Sequence, residues 1–325
     1  MTHAIRLMAP GGVEQMVWQA VEVAAPGPGE VTIRQSAVGL NFIDVYHRTG
    51  LYPQPAYPCG LGMEAAGVVE AVGTGVTHVA VGDPVAYMHR EPGAYAERRT
   101  MDAERVVRLP EGVSAEQAAA VMLKGMTVWY LLTRTYAVTK DTTLLVHAAA
   151  GGVGLLLCQW AREIGATVIG TVGSAEKAAL ARAHGAMHVV EYKREDIAAR
   201  VRALTGGKGV DVAYDSVGKD TFTASLDSLK PLGLMVSYGN ASGPLPPFEA
   251  LELTKRGSLF FTRPGLMDYT RGIADYRAAA EAVLSRVADR RLVVEIGQRF
   301  ALRDVAEAHT ALEAGKTSGA TVMVV

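Results

Sequence analysis

HAAAGGVG, residues 147–154, is the stretch of this sequence that decides the fold. It follows an apolar segment, Thr143–His147, that is predicted as a β-strand, and it opens a segment, Gly152–Ile164, with helical periodicity. A strand, a glycine-rich turn and a helix in this order form the context that a dinucleotide-binding motif requires. The stretch therefore predicts the first strand, turn and helix of a dinucleotide-binding domain.

The residues of this turn have separate roles in the prediction. In the pattern G-x-G-x-x-G, Ala149 takes the first position, Gly151 the second and Gly154 the third. Gly151 has no Cβ to keep backbone N–H groups away from a pyrophosphate, and Gly154 allows the helix to pack close to the strand. We therefore expect a pyrophosphate at the positive amino terminus of the helix, held by Gly151, Gly152, Val153 and Gly154.

Strands and helices alternate after the turn, with short loops between them. The predicted strands are Thr167–Val172, Met187–Glu191, Val210–Tyr214, Leu232–Tyr238 and Ser258–Thr262, and the predicted helices are Ala175–His184, Glu195–Leu204 and Thr221–Leu229. This alternation indicates parallel strands joined by right-handed crossovers. With Thr143–His147 included, it predicts an α/β domain with a doubly wound sheet of six parallel strands.

The rest of the chain has a different texture. The first third is rich in glycine and proline, and its short β-branched runs predict strands at Val31–Arg34, Ala65–Val72 and Pro84–Tyr87. Ser114 predicts the cap of an alanine-rich helix, and a second helix is predicted at Met126–Tyr136.

The tail after the alternating segment does not continue the repeat. Its predicted elements are a helix at Tyr269–Arg290, a strand at Ile296–Phe300, a helix at Arg303–Ala314 and a strand at Ala320–Val325. We expect this tail to return to the first domain. The predicted domains are thus residues 1–124 with 265–325, which are β-rich, and the dinucleotide-binding residues 125–264.

The end of the second strand of the alternating segment indicates which dinucleotide is bound. NAD-binding domains usually carry an acidic residue there, about 20 residues after the turn. Here the strand runs into Gly173 and Ser174 with no acid at its tip, and Lys177 and Tyr192 follow. Small, polar and cationic groups suit a 2′-phosphate, which an acid would repel. The prediction is NADPH, although Lys177 taken alone is as compatible with a solvated helix residue.

Several stretches resemble the medium-chain dehydrogenase/reductase superfamily. They are VGLNFID at 38–44, GLGMEAAGVV at 60–69, the turn at 147–154, YDSVG at 214–218, SYGN at 237–240 and TRP at 262–264. Within the superfamily the chain is most similar to the quinone oxidoreductases related to zeta-crystallin, and the resemblance spans nearly the whole sequence. It implies that the β-rich domain is a GroES-like catalytic domain and that the other is a Rossmann domain.

Zinc-dependent members of this superfamily ligate the catalytic metal with a Cys in the first of these stretches and a His in the second. Asn41 and Met63 stand at those positions here, and the segment Met88–Thr100 lacks the cysteines of a structural zinc lobe. A zinc site needs three or four protein ligands. Without a Lewis acid, substrates must accept a hydride readily, as quinones and α,β-unsaturated carbonyls do. The resemblance implies NADPH-dependent quinone reduction, and the expected metal content is none.

The resemblance also implies the site residues. Those expected beside the nicotinamide, as the catalytic set, are Asn41, Asp44, Tyr46 and Tyr52, with Phe42 and Tyr130 also on the cofactor. Each tyrosine has an alternative role in packing. Positions at or near the carboxyl ends of the predicted strands, rather than the resemblance, predict the residues along the rest of the cofactor, which are Gly173, Ser174, Lys177, Tyr192, Ser216, Tyr238, Gly239, Asn240, Phe261 and Thr262. Lys316 is a candidate second cation for the 2′-phosphate or a solvated turn residue. No protein general acid is expected to be essential, and Tyr52 is the candidate if one exists.

Composition limits the other functions. The net charge is −1, so no general attraction to nucleic acid or to an anionic membrane is expected. Two cysteines exclude a disulfide framework, and the first residues have no secretory pattern, so the expected location is the cytoplasm. The resemblance also implies a homodimer joined at the sheet edge near Ser258–Phe261. Two alternatives stay open, an NADPH-dependent enone or alkenal reductase and a non-catalytic NADPH-binding protein of the crystallin or RNA-binding kind.

Overall fold

The computed structural model describes residues Thr2–Val325. They divide into two compact units, one made of the residues up to Met126 together with Thr270–Val325, and one of Thr127–Tyr269. The domain limits predicted from the sequence, after residues 124 and 264, stay a prediction. Within the described residues, no helix combines the length and the apolarity needed to cross a lipid bilayer.

The amino-terminal part of the first unit consists mainly of strands. The strands are β1 (Thr2–Leu7), β2 (Met16–Val21), β3 (Glu30–Leu40), β4 (Cys59–Gly60), β5 (Glu64–Val72), β6 (Pro84–Met88), β7 (Arg98–Asp102) and β8 (Val106–Arg108). The helices are α1 (Phe42–Thr49) and the larger part of α2 (Ala115–Tyr130). The end of α2 after Met126 and the π-helical turn that follows it at Leu131–Thr135 belong to the second unit. A three-stranded sheet has the order β2-β1-β4.

The second unit has the predicted doubly wound architecture. Its strands are β9 (Thr143–Val146), β10 (Thr167–Val172), β11 (His188–Glu191), β12 (Val210–Asp215), β13 (Leu229–Ser237) and β14 (Phe260–Thr262). Its helices are α3 (Gly152–Ile164), α4 (Ala175–Ala183), α5 (Ile197–Leu204), α6 (Phe222–Ser228), α7 (Leu251–Lys255) and α8 (Leu266–Tyr269). All six strands are parallel, in the order β11-β10-β9-β12-β13-β14. The prediction of a six-stranded parallel Rossmann sheet is confirmed, and the order reverses between β9 and β12, where such sheets bind ligands.

The tail completes the first unit. Its elements are α9 (Ile273–Ala288), β15 (Ile296–Ala301), α10 (Val305–Glu313) and β16 (Ala320–Val324). β16 pairs antiparallel with β3. The resulting seven-stranded sheet follows the path β15-β16-β3-β5-β6-β8, with β7 also paired to β3. The long helix predicted at Tyr269–Arg290 is α9, which begins later, at Ile273, and ends at Ala288, while Tyr269 is the last residue of the short helix α8.

The helix α2 corrects another prediction. The sequence predicted a new helix from Met126, but one helix runs without a break through Gly125 to Tyr130. A Cβ on Gly125 would lie 2.5 Å from Val283 Cγ1 on α9. Glycine is therefore required there for close helix packing rather than for a helix end.

Each unit has its own hydrophobic core. In the first unit, β3, β5, β6 and α10 supply buried residues such as Ile33, Val69, Val85 and Val305. In the second, the sheet buries Leu145, Ile169 and Ala213 with residues of α5 and α6. These cores fix the strand ends from which the candidate site residues project.

Candidate active site and dinucleotide-binding turn

The predicted dinucleotide turn connects β9 with α3. Gly151 caps the helix with extended backbone, and Ala148 has a φ of 51°, in the left-handed region. A Cβ on Gly154 would lie 2.3 Å from the carbonyl oxygen of Ala148. Only glycine at this position lets α3 begin so close to the turn.

The first turn of α3 provides backbone donors. Gly152, Val153 and Gly154 are its first residues, and the N–H groups at a helix start have no carbonyl partner within the helix. A Cβ on Gly151 would meet only the Ala148 oxygen, at 3.2 Å. The turn therefore presents N–H groups and the positive end of the helix dipole, which suit a phosphate.

The end of β10 brings together the residues predicted for the 2′-phosphate. Ser174 caps α4 by accepting a hydrogen bond from the Lys177 N–H at 3.3 Å. The hydroxyl of Tyr192 would lie 2.7 Å from a Cβ on Gly173, and Lys193 Cε would lie 3.6 Å from it. Glycine at 173 thus leaves space beside the Tyr192 hydroxyl and the Lys193 side chain. No carboxylate stands at the strand tip, so this corner fits the 2′-phosphate of NADPH.

The loops after β12 and β13 meet at the same edge of the sheet. A Cβ on Gly239 would lie 2.3 Å from the Ser216 carbonyl oxygen, so the two loops touch. Tyr238 donates its backbone N–H to the backbone carbonyl oxygen of Asp215 at 2.8 Å. Arg263 donates to the Ser237 carbonyl at 2.8 Å, and with the Asn240 amide turned to satisfy both of its atoms, Arg263 also donates to Asn240 at 3.0 Å. The structure therefore brings Ser216, Tyr238, Gly239 and Asn240 together.

Aromatic side chains surround this edge. Tyr130 is buried and stacks on Tyr269 with ring centres 4.5 Å apart, and burial raises its pKa. Phe261 packs edge-on against Phe248 at 5.2 Å, in an aromatic cluster with Phe222, and Thr262 pairs with Val236 in the sheet. Phe261 thus has packing partners within the second unit, and its role on the cofactor stays a prediction.

Two of the four predicted catalytic residues, Asn41 and Asp44, belong to a buried polar cluster. Asn41 donates its backbone N–H to Asp44 Oδ2 at 2.9 Å at the start of α1, and its amide to Glu64 Oε1 at 2.8 Å. Glu64 also accepts from Lys124 Nζ at 2.9 Å and from the Leu123 N–H at 2.6 Å. Lys124, which the sequence alone left without a site role, neutralises the fully buried Glu64 and so fixes the acceptor of the Asn41 amide.

Asp44 joins this cluster to a second chain of contacts. Tyr95 donates its hydroxyl to Asp44 Oδ2 at 2.9 Å, and His309 Nε2 lies 3.1 Å from the same hydroxyl. Arg48 lies 3.4 Å from His309 Nδ1 and forms an ion pair with Glu313 at 2.8 Å. Burial raises the pKa of Asp44 to about 7 and lowers that of His309 to about 3.

The second oxygen of Asp44, Oδ1, has no hydrogen-bond partner among the described residues, and the side chain is 0% exposed. An ionised carboxylate in that place lacks compensation on one side. The other oxygen, Oδ2, accepts the hydrogen bonds from Asn41 and Tyr95 and so fixes the positions of both residues.

The remaining candidates of the first unit lie on or after α1 and α10. Tyr46 is buried and meets the half-buried Tyr52 edge-on at 5.2 Å, while Phe42 lies 6.2 Å from Tyr46. Lys316 is exposed in the turn after α10. The roles of the edge-on tyrosine pair on the acceptor and of Lys316 on the 2′-phosphate stay predictions.

No group of three or more His, Cys, Asp or Glu side chains within residues 2–325 is arranged to hold a metal ion. At the two positions where zinc-dependent relatives have ligands, the Asn41 amide is bonded to Glu64 and Met63 is buried.

Sequence reasoning missed several residues that belong to the contacts described above within each unit. Lys193 was missed although it follows Tyr192 directly, and Arg263 although it lies in a stretch that carried the resemblance. Tyr95 and His309 gave no local signal, because only the fold brings Tyr95 to Asp44 and His309 to Tyr95. Tyr269 also gave no local signal, because its stacking on Tyr130 joins distant segments of the chain.

Comparison with known proteins agrees with both units. Residues 27–111 match the family described as alcohol dehydrogenase GroES-like domain, and residues 152–284 match the family described as zinc-binding dehydrogenase. A quinone oxidoreductase of Pseudomonas aeruginosa is 50% identical over 324 residues, which cover 100% of each chain. The chain belongs to the quinone oxidoreductase family of the medium-chain dehydrogenases/reductases.

Two further proteins are similar to this chain over their full length. The crystal structure of Escherichia coli quinone oxidoreductase complexed with NADPH has a TM-score of 0.97 and 43% identity, covering 99% of this chain and 100% of that one. A 2-haloacrylate reductase of a Burkholderia species is 43% identical over 331 residues, covering 100% of this chain and 99% of its own. The chain is thus similar over its full length to proteins that are named for two different acceptors.

Proposed function

We propose that this protein is an NADPH-dependent quinone reductase that works without zinc. The observation that carries the proposal is 50% identity over the whole chain to a quinone oxidoreductase. The acid-free end of β10, with Ser174, Tyr192 and Lys193 around Gly173, supports NADPH over NADH. NADPH supplies the reducing equivalents when it is bound, and the protein supplies binding, orientation and electrostatics.

The second unit is proposed to hold the cofactor along the carboxyl edge of its sheet. The N–H groups at the start of α3 bind the pyrophosphate. Ser174, Lys177, Tyr192 and Lys193 bind the 2′-phosphate by hydrogen bonds and charge. Ser216, Tyr238, Gly239 and Asn240, with Phe261 and Thr262, lie along the edge that faces the rest of the cofactor.

The first unit is proposed to orient the reacting rings. Asn41 is fixed by Asp44 and Glu64, so its position is set before a ligand binds. Tyr46 and Tyr52 offer an aromatic face to the acceptor, and their hydroxyls can polarise a carbonyl oxygen. Asp44 orients Asn41 rather than touching the substrate, because its side chain has no exposed surface.

The assembly and location belong to the same proposal. β14 is an edge strand with Phe260 59% exposed, and an apolar edge favours pairing with a second copy. We therefore propose a homodimer, to be checked by analytical ultracentrifugation with Phe260→Lys as the disrupting variant. Both cysteines are free, which suits a reducing compartment such as the cytoplasm.

Turnover with defined acceptors tests the proposed reaction. NADPH oxidation is followed at 340 nm, a wavelength at which the reduced nicotinamide absorbs, with 1,4-benzoquinone or a simple enone as acceptor and a chelator present. Rapid quinone-dependent oxidation in the presence of chelator supports zinc-free quinone reduction. Tight NADPH binding without turnover on either acceptor would contradict it and favour a non-catalytic NADPH-binding protein.

A second candidate is an NADPH-dependent reductase of activated carbon–carbon double bonds. It is favoured by the full-length relative named as a 2-haloacrylate reductase. The same assay separates the two, because turnover with the enone and not with the quinone would assign this second activity.

A further inference from the structure

A buried hydrogen-bond network anchors the residue that opens the dinucleotide turn. His147 Nε2 lies 2.9 Å from Ser225 Oγ on α6, and Nδ1 lies 3.0 Å from Thr171 Oγ1 on β10. Ser225 donates at 2.7 Å to Asp215 Oδ2 at the end of β12. His147, Ser225 and Asp215 are 0% exposed and Thr171 is 1% exposed. Polar groups this deep are costly unless each is bonded, so the network restricts the geometry of all its members.

The contacts allow one arrangement of protons. Asp215 accepts from Ser225, from the Thr221 hydroxyl and from two backbone N–H groups, so the Ser225 hydrogen points to Asp215. The Ser225 oxygen must then accept from His147 Nε2–H. A neutral imidazole carries one N–H, so Nδ1 accepts from the Thr171 hydroxyl. Burial lowers the pKa of His147, which agrees with a neutral ring.

The same residues hold the backbone of the turn. His147 donates its N–H to the Tyr214 carbonyl at 3.1 Å, and Ala149 donates to the Thr171 carbonyl at 3.0 Å. Between them, Ala148 is in the left-handed region, with φ 51°. Such a conformation persists in a residue with a Cβ only when the surroundings determine it. Its carbonyl oxygen then lies directly against Gly154 at the start of α3.

We propose that His147 is a positioning residue for NADPH. Its ring, fixed by Ser225, Asp215 and Thr171, holds Ala148 in the conformation that aligns the turn with the donor end of α3. This inference rests on the proposed function, because its effect is on the affinity for NADPH. Weakening the network should lower that affinity, while the KM for quinone and the kcat at saturating NADPH stay unchanged.

Ser225→Ala tests the proposal without altering the turn itself. Ser228→Ala is the matched control, because Ser228 is also 0% exposed on α6 but bonds only the Ala224 carbonyl, at 2.7 Å. The Kd for NADPH is measured by fluorescence titration, together with the KM for quinone, kcat and Tm. We expect Ser225→Ala to raise the Kd about tenfold, which corresponds to 1.4 kcal/mol, and Ser228→Ala to change it less than twofold.

Thr171→Val removes the other partner of the ring at nearly constant volume, and we expect it to raise the Kd in the same way. Unchanged Kd values in both network variants, with wild-type protein that binds NADPH and reduces quinone, would overturn the positioning role and leave the proposed function intact. Equal losses in Ser225→Ala and Ser228→Ala that follow Tm would also overturn it. Wild-type protein that binds no NADPH would overturn the proposed function itself.

Discussion

Asp44→Asn changes the pH dependence of stability in a way that the structure specifies. In the folded protein burial raises the pKa of Asp44 to about 7 from an ordinary value of 3.8. Well below pH 4 the carboxyl is protonated in both the folded and the unfolded chain, so its burial does not lower the free energy of unfolding. Between pH 4 and pH 7 the unfolded chain loses this proton while the folded chain keeps it, so the free energy of unfolding falls as pH rises.

The magnitude follows from the size of the shift. One pKa unit corresponds to about 1.4 kcal/mol, so the full shift from 3.8 to about 7 costs about 4 kcal/mol above pH 7. Between pH 5 and pH 8 this cost to the free energy of unfolding grows by about 2 to 3 kcal/mol. An asparagine accepts the same bonds from Asn41 and Tyr95 through its oxygen and does not titrate.

Urea unfolding at pH 5, 6, 7 and 8 measures the effect as the difference between Asp44→Asn and wild type, because other titrating groups cancel. We expect the variant to gain about 2 to 3 kcal/mol over the wild type across this range. Asp141→Asn, at an exposed position, is the control and should show no such trend. A difference independent of pH would refute the reasoning, because Asp44 would then be ionised in both states at pH 5.

Three further changes test the cofactor site. Lys193→Ala should raise the KM for NADPH about fivefold and leave the KM for NADH unchanged, because it removes about 1 kcal/mol of attraction to the 2′-phosphate. Equal effects on both KM values in steady-state assays would argue against a role of Lys193 in binding the 2′-phosphate. Ser174→Asp keeps the cap of α4 and adds a negative charge. It should lower kcat/KM for NADPH at least tenfold, about the contribution of one charge-assisted hydrogen bond, and should raise kcat/KM for NADH. An unchanged preference between the two cofactors would place the phosphate elsewhere. Gly154→Ala places a Cβ 2.3 Å from the Ala148 oxygen. It should lower Tm and the affinity for NADPH together, and lower the free energy of unfolding in urea by about 1 to 3 kcal/mol. Wild-type values of Tm and of NADPH affinity would contradict the packing role of Gly154.

The dinucleotide-binding domain could be predicted because its signals are local. Buried parallel strands are short apolar runs, and glycine marks the turn, so Gly152–Ile164 and Thr167–Val172 have the bounds that the sequence predicted. Strand ends shifted where a polar residue pairs in the sheet, as at Asp215, which ends β12.

The first unit was harder, because its strands pair across long distances. β1 and β2 were missed because Thr2–Leu7 and Met16–Val21 mix polar and apolar residues without a regular alternation. Helix α1 did leave a signal, because Asn41 at its start and Asp44 three residues on form a capping pattern.

The candidate site divides in the same way. The residues of the turn and of the β10 tip were predicted from neighbouring positions in the sequence. The contacts of Asp44 with Tyr95 and of Tyr95 with His309 join segments 51 and 214 residues apart. No local pattern encodes such pairs.

The most direct test of the central claim is the ratio of kcat/KM for NADPH to that for NADH, measured with 1,4-benzoquinone and chelator. The acid-free tip of β10 and the zinc-free site predict rapid turnover and a ratio between about 10 and 150, since a charge-assisted phosphate contact contributes roughly 1.5 to 3 kcal/mol and each 1.4 kcal/mol is a factor of ten. A ratio near or below one, or no quinone reduction with either cofactor, would contradict the account.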